Sequence, residues 1–161
     1  MPYGSTFTSG DVVGMLVDTV AGTVRFSLNG EDQGIAFRGL EAQSLHAAVC
    51  CGGVKSGDEQ QHQVMSLEIP RVFDPETKQG HLRVVAEGMG VKADSHGLIA
   101  LSHSGMRVGQ HVWQFKVTAT PPMEPLFIGV AEKQHLGRLT SAPTLRGGWY
   151  YGSSGRKVRI V

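Results

Sequence analysis

At 161 residues, with 40% hydrophobic and 18% charged side chains, the chain can bury one sizeable core, and a domain of this length hides roughly 68 to 70% of its unfolded surface. Fifteen Lys and Arg against fourteen Asp and Glu leave a net charge of +1, too weak a field to favour nucleic acid or an anionic membrane as partner. No run reaches the roughly 18 apolar residues of a membrane helix, and the opening MPYGST lacks the basic and apolar regions of a secretory signal.

In chain order, VVGMLVD, TVRFSL, SLHAAVC, VMSLEI, LRVVA, LIALS, VWQFKVTA and LFIGVA are short, alternating and rich in β-branched residues. Each is closed by Gly, Asn, Asp, Ser or Pro, so they read as strands. With hardly any sustained helical periodicity between them, the pattern predicts an all-β antiparallel sandwich or barrel. Asn29-Gly30 predicts a type I′ hairpin over residues 23–37, because both positions tolerate positive φ. Gly34 in the return strand predicts a bulge or a close backbone approach. GDVVG at 10–14 and GMGV at 88–91 read as bends, LSHSG at 101–105 as a turn between strands, and residues 52–63 and 136–148 as surface loops. Alternation assigns Phe26, Leu28, Phe37, Val49, Trp113, Phe115, Phe127, Ile128 and Val130 to the core.

Chemical motifs are sparse. Cys50 and Cys51 are adjacent in a strand, so they point to opposite faces and form no ordinary bridge. The seven histidines never take the close pair spacing of a zinc site. Gly-rich phosphate loops are absent, and Ser102, His103 and Ser104 lie in no nucleophile elbow. Neither a catalytic centre nor a cofactor or metal is expected, and the cysteine usage fits a reducing, cytoplasmic compartment. Charge divides unevenly: residues 1–70 hold three Lys or Arg against eight Asp or Glu, and residues 71–161 hold twelve against six. The two halves are therefore expected to attract each other.

The motifs PYGSTFTSGDVVGMLVD, GTVRFSLNGEDQGIAF and LHAAV, in that order, resemble the SPRY domain family. GQHVWQFKV, LFIGVA and GGWYYGSSGRKV resemble strands that come earlier in the same family. The resemblance therefore implies a concanavalin-like, SPRY-type two-sheet β-sandwich in circularly permuted order. In that reading residues 1–70 are the back half, 71–80 a linker and 81–161 the front half of one domain, or the chain spans two copies of a tandem array. Two positions depart from the family: Cys51-Gly52-Gly53 stands where some peptide-gripping members carry an aromatic residue, and Gln114 replaces the Glu of the Trp-Glu pair.

The resemblance implies a non-enzymatic protein-protein interaction module that binds a protein or short peptide through loops, in a scaffold or ubiquitin-ligase setting, as a monomer or half-exchanged dimer. Loops of a rigid β scaffold carry recognition. The expected partner-binding set is accordingly Gln134, His135, Arg138, Thr140, Thr144 and Arg146 in and beside the 136–148 loop, with Arg38 from the hairpin return. Tyr150 joins it, with one of Tyr150 and Tyr151 expected to be packed and the other exposed. The 52–63 loop is expected to border the same end. The alternative is a carbohydrate-binding lectin-like sandwich, which needs an exposed aromatic for stacking; Trp113 is expected in the core and Trp149 within its motif.

Overall fold

The computed structural model describes residues 1–41, 45–51, 66–67, 73–78, 82–85, 90–93, 98–118, 126–132 and 148–160. Among them there is no helix. The strands are β1 (Val12–Asp18), β2 (Thr23–Leu28), β3 (Glu31–Arg38), β4 (Leu45–Cys51), β5 (Ser66–Leu67), β6 (Phe73–Lys78), β7 (Leu82–Val85), β8 (Gly90–Ala93), β9 (Leu98–Ser102), β10 (Gln110–Lys116), β11 (Leu126–Glu132), β12 (Gly148–Gly152) and β13 (Lys157–Ile160). They form one sheet in the order β3-β2-β1-β10-β5-β8-β7 and a second in the order β13-β12-β11-β4-β9-β6. Neighbouring strands pair antiparallel throughout.

Strand alternation builds the core. In β1, Val13, Met15 and Val17 are 0%, 1% and 0% exposed, while Val12, Leu16 and Asp18 between them reach the other face. Val24 and Phe26, Trp113 and Phe115 extend the same layer, and Leu45, Ala47, Val49, Leu126, Ile128, Val130, Trp149 and Tyr151 face it from the second sheet. Burying such side chains contributes roughly 1.5 to 3 kcal/mol each. Of the expected core, Leu28 and Phe37 are partly buried against it. Phe127 belongs to a separate cluster with Ala48, Leu101, Ala131 and Tyr150 on the outer face of the second sheet. Phe127 and Ile128 are consecutive on a strand, so only one of them can face inward.

The hairpin has the expected turn: Asn29 and Gly30 take φ of 52° and 86°, and Leu28 pairs with Glu31 across it. Gly34, at φ 84°, lies where the β2–β3 register slips. The extra residue lets Ala36, 4% exposed, take the inward position beside Phe37. Of the expected bend at 88–91, Gly90 and Val91 belong instead to β8, paired with β7, and 88–89 lie outside the described residues. The expected linker 71–80 includes β6, which pairs with β9 at the sheet edge. That edge tolerates Pro75, which would disrupt a central strand.

Strands from residues 1–70 and 71–161 interleave in both sheets, most extensively as β1 against β10 and β4 against β11. At the sandwich edge the Lys157 N–H donates to the Met1 carbonyl at 2.9 Å, Pro2 bridges Arg156, and Lys157 Nζ crosses to the Ala36 carbonyl at 2.7 Å. The ion pair between described residues, Arg25 with Asp32 at 3.3 Å, lies within the first half. Main-chain ladders and apolar burial, rather than charge, join the halves among the described residues.

Candidate functional site

Three described segments meet at one end of the sandwich. The β1–β2 turn is tightened by Asp18, whose Oδ1 accepts from Val20 N at 3.0 Å and Ala21 N at 2.8 Å, while Gln110 Nε2 donates to its Oδ2 at 2.9 Å. The bond from Ala21, then that from Gln110, holds the Asp18 carboxyl below its ordinary value. Thr19 ties this turn to the segment before β10: its N–H donates to Gly109 O at 3.0 Å, and its Oγ accepts from Gly109 N at 2.8 Å. The third segment follows β3, where Leu40 N donates to Gly22 O at 3.1 Å. Gly22, at φ +61°, has room only for hydrogen, since a Cβ would lie 3.3 Å from Leu40 N and O. Met106 N, donating to Leu45 O at 2.7 Å, fastens the group to the start of β4.

Arg38 is exposed at this end, where β3 closes against Thr23. Glu132 pairs with Leu45, and Ala131 with Gly148. The segment between β11 and β12 therefore leaves and returns at the same end. Gln134, His135, Arg138, Thr140, Thr144 and Arg146 fall in that segment, outside the described residues. Residues 52–63, expected to border this end, lie outside the described residues. Because β4 is antiparallel to β11, its last residue Cys51 pairs with Leu126, and the chain leaves β4 at the opposite end.

The expectation that one of Tyr150 and Tyr151 is packed and the other exposed is corrected. Tyr150 and Tyr151 are both 0% exposed, so neither offers an aromatic anchor to a partner. Tyr151 faces the core, where its hydroxyl donates to the Ser5 carbonyl. Burial pushes its pKa up to about 12, with Tyr3 and Asp11 adding to the rise. Tyr150 lies on the outer face of the second sheet across Gly148, where a Cβ would come within 2.3 Å of the Tyr150 ring. Its hydroxyl is buried without a hydrogen-bond partner among the described residues, and burial raises its pKa. Glycines at sheet positions gave the sequence signal for this close packing, but the signal does not say which tyrosine fills the space.

The buried polar groups serve the fold. Ser102 Oγ accepts from Ala47 N at 3.1 Å and donates to Ser104 O at 3.0 Å. His46 Nδ1 donates to Ser102 O at 2.8 Å. The Ser102 hydroxyl thus hydrogen-bonds main chain instead of a general base. Among the described residues no group of three or more His, Cys, Asp or Glu is placed to hold a metal ion. Surface side chains dominate the loop end instead: Arg38, His103 and Arg107 are exposed, as are Val20 at 75% and Val108 at 88%. The sequence reading passed over both valines because turn residues fall outside strand alternation. Their apolar character within DTVAG and RVGQ was the available signal.

Comparison with known proteins agrees with the motif order at the front of the chain. A family model described as SPRY domain matches residues 1–64. A curated relative, the Ran-binding proteins 9/10 homolog of Drosophila melanogaster, is 55% identical over 38 residues, covering 24% of this chain and 4% of the relative. The shared stretch is thus a small part of that relative's length. No solved structure gives a significant match. Residues 1–64, the stretch that matches the SPRY domain model, contribute β1 to β4 to the two interleaved sheets.

Proposed function

We propose that the chain is a non-catalytic interaction module that binds a protein or short peptide at the loop end carrying Arg38 and the β11–β12 segment, within a larger cytoplasmic scaffold or ubiquitin-ligase protein. The observation that carries this reading is the convergence of the β1–β2 turn, the segment after β3 and the segment before β10. They are fixed to one another by main-chain hydrogen bonds and present exposed Arg38, Arg107, Val20 and Val108. A pre-fixed loop surface with arginines suits recognition, because little ordering entropy is lost on binding. The SPRY match over residues 1–64 supports the same class of function.

The second half of the chain, in our reading, supplies the strands that precede PYG in the family, so the domain is circularly permuted or drawn from two adjacent copies. The pairing of Met1 with Lys157 supports this, as termini that lie close together permit such a rearrangement. The same interleaving allows a monomer or a half-exchanged dimer. Trp113 and Trp149 are 1% and 6% exposed, which removes both from sugar stacking and disfavours the lectin alternative. Capture of proteins from a cell lysate, run beside a glycan array, tests the reading. Saturable protein capture without glycan binding supports it, and glycan binding alone would overturn it.

A further inference from the structure

Among the described residues, three of the four strongly exposed large apolar side chains are Val112 on β10 and Val20 and Val108 in the turns beside β1 and β10, at 54%, 75% and 88%; together they mark one strip of the molecule. On the outer face of the first sheet Leu16 pairs with Val112, and Asp18 with Gln110. Two residues further along each chain stand Val20 and Val108, in turns that Thr19 and Gly109 join. From Leu16 and Val112 toward Gly14 the strip holds a depression of about 350 Å³, lined also by Ser27, Gln114 and the Arg25 and Asp32 pair. Gly14 and Ser27 are packed side by side in its floor, for a Cβ at Gly14 would meet Ser27 Oγ at 2.3 Å. From Gly14 to Asp18, where β1 ends, the strip is about 14 Å long at the strand rise of roughly 3.4 Å per residue, room for some four or five extended residues, with the turns carrying Val20 and Val108 beyond it.

The charges along it are unequal in their engagement. Asp18 is taken up by Val20 N, Ala21 N and Gln110, and Asp32 by Arg25. Arg107 and Lys116, exposed beside the two ends, have no carboxylate within ion-pair distance among the described residues. We propose that this strip seats an extended acidic segment of a protein partner. Apolar side chains fill the Gly14 depression and rest on Val112, and carboxylates face Lys116 and Arg107. Contiguous exposed apolar surface rimmed by polar groups marks such sites, and opposite charge supplies specificity and on-rate. The inference rests on the interaction-module reading and adds a surface that the loop end alone does not include.

The test is selection of a random dodecamer peptide display library on the full chain, followed by fluorescence anisotropy of the enriched peptides. Enriched peptides should combine Asp or Glu with apolar residues and bind more weakly as salt rises. Affinity should fall about tenfold or more for Val112→Arg and for the Arg107→Glu, Lys116→Glu pair, and stay unchanged for Arg156→Glu, between β12 and β13 of the second sheet. All of these positions are exposed, and an unaltered melting temperature verifies folding. Failure to enrich acidic peptides, or full affinity for the Val112→Arg chain, overturns the strip. If such strip-insensitive peptides still bind, or proteins are still captured, the interaction module stands without it. Glycan binding with neither peptide nor protein capture would remove both.

Discussion

The Tyr3 hydroxyl donates to the Gly34 carbonyl at 2.6 Å, plugging the bulge that glycine creates in the β2–β3 pair. The same oxygen accepts from Phe26 N at 3.3 Å, so one side chain satisfies two main-chain groups that the register shift leaves without ladder partners. The Tyr of the PYG motif is thus a brace for the hairpin. Tyr3→Phe should lower stability by about 1 to 3 kcal/mol, the cost of leaving partly buried polar groups unmade. Urea unfolding gives the loss, and faster amide exchange at Phe26 localises it.

Gly14 and Ser27 form a second obligatory pair. Gly14→Ala places a methyl 2.3 Å from Ser27 Oγ, but Ser27 Cβ stays at 3.6 Å, an ordinary contact. The single substitution should cost about 1 to 3 kcal/mol as overpacking, and Ser27→Ala should restore most of it in the double variant. A double-mutant cycle measures the coupling. Additive effects would contradict the close approach.

These two pairs show how far the sequence could be read. Strand alternation identified Phe26, Val49, Trp113, Phe115, Ile128 and Val130 as core, and Asn-Gly the turn, because both depend on local chemistry alone. Phe127 could not be separated from Ile128 without knowing which face of β11 meets the first sheet. Tyr150 and Tyr151 posed a similar difficulty: alternation puts them on opposite faces, but only the packing over Gly148 makes the outer face a buried one. Likewise the exposure of Arg38 at the end of the hairpin return was legible, while the end at which the chain leaves β4 required its direction relative to β11. That is a long-range property no local signal carries.

Stability should fall at high pH. Tyr151 is pushed from 10.0 up to about 12 by burial, then by Tyr3 and Asp11, so its protonated form is favoured in the folded state. Its contribution is fully present below the unfolded value near 10 and is lost as pH rises through about 12. The span of two pKa steps corresponds to about 3 kcal/mol at most. Thermal melts between pH 8 and pH 12 should show the decline, and Tyr151→Phe should flatten it.

Tyr150→Phe should behave differently, because its hydroxyl is buried without a partner among the described residues. Removing it should leave stability unchanged or raise it by up to about 1 kcal/mol, since an unmade buried hydrogen bond carries only its desolvation cost. Partner capture should be unaffected. A clear loss of capture at equal stability would return Tyr150 to the site.

Recognition at the loop end is tested most directly by measuring partner capture with the Arg138→Ala, Arg146→Ala double variant against the parent chain. An unchanged melting temperature is required of the comparison, a shift of no more than the roughly 0.5 kcal/mol of surface substitutions. The account predicts that capture falls about tenfold, as loss of arginine anchors at an interface does. Undiminished capture by a folded double variant would contradict it and place the partner elsewhere on the sandwich.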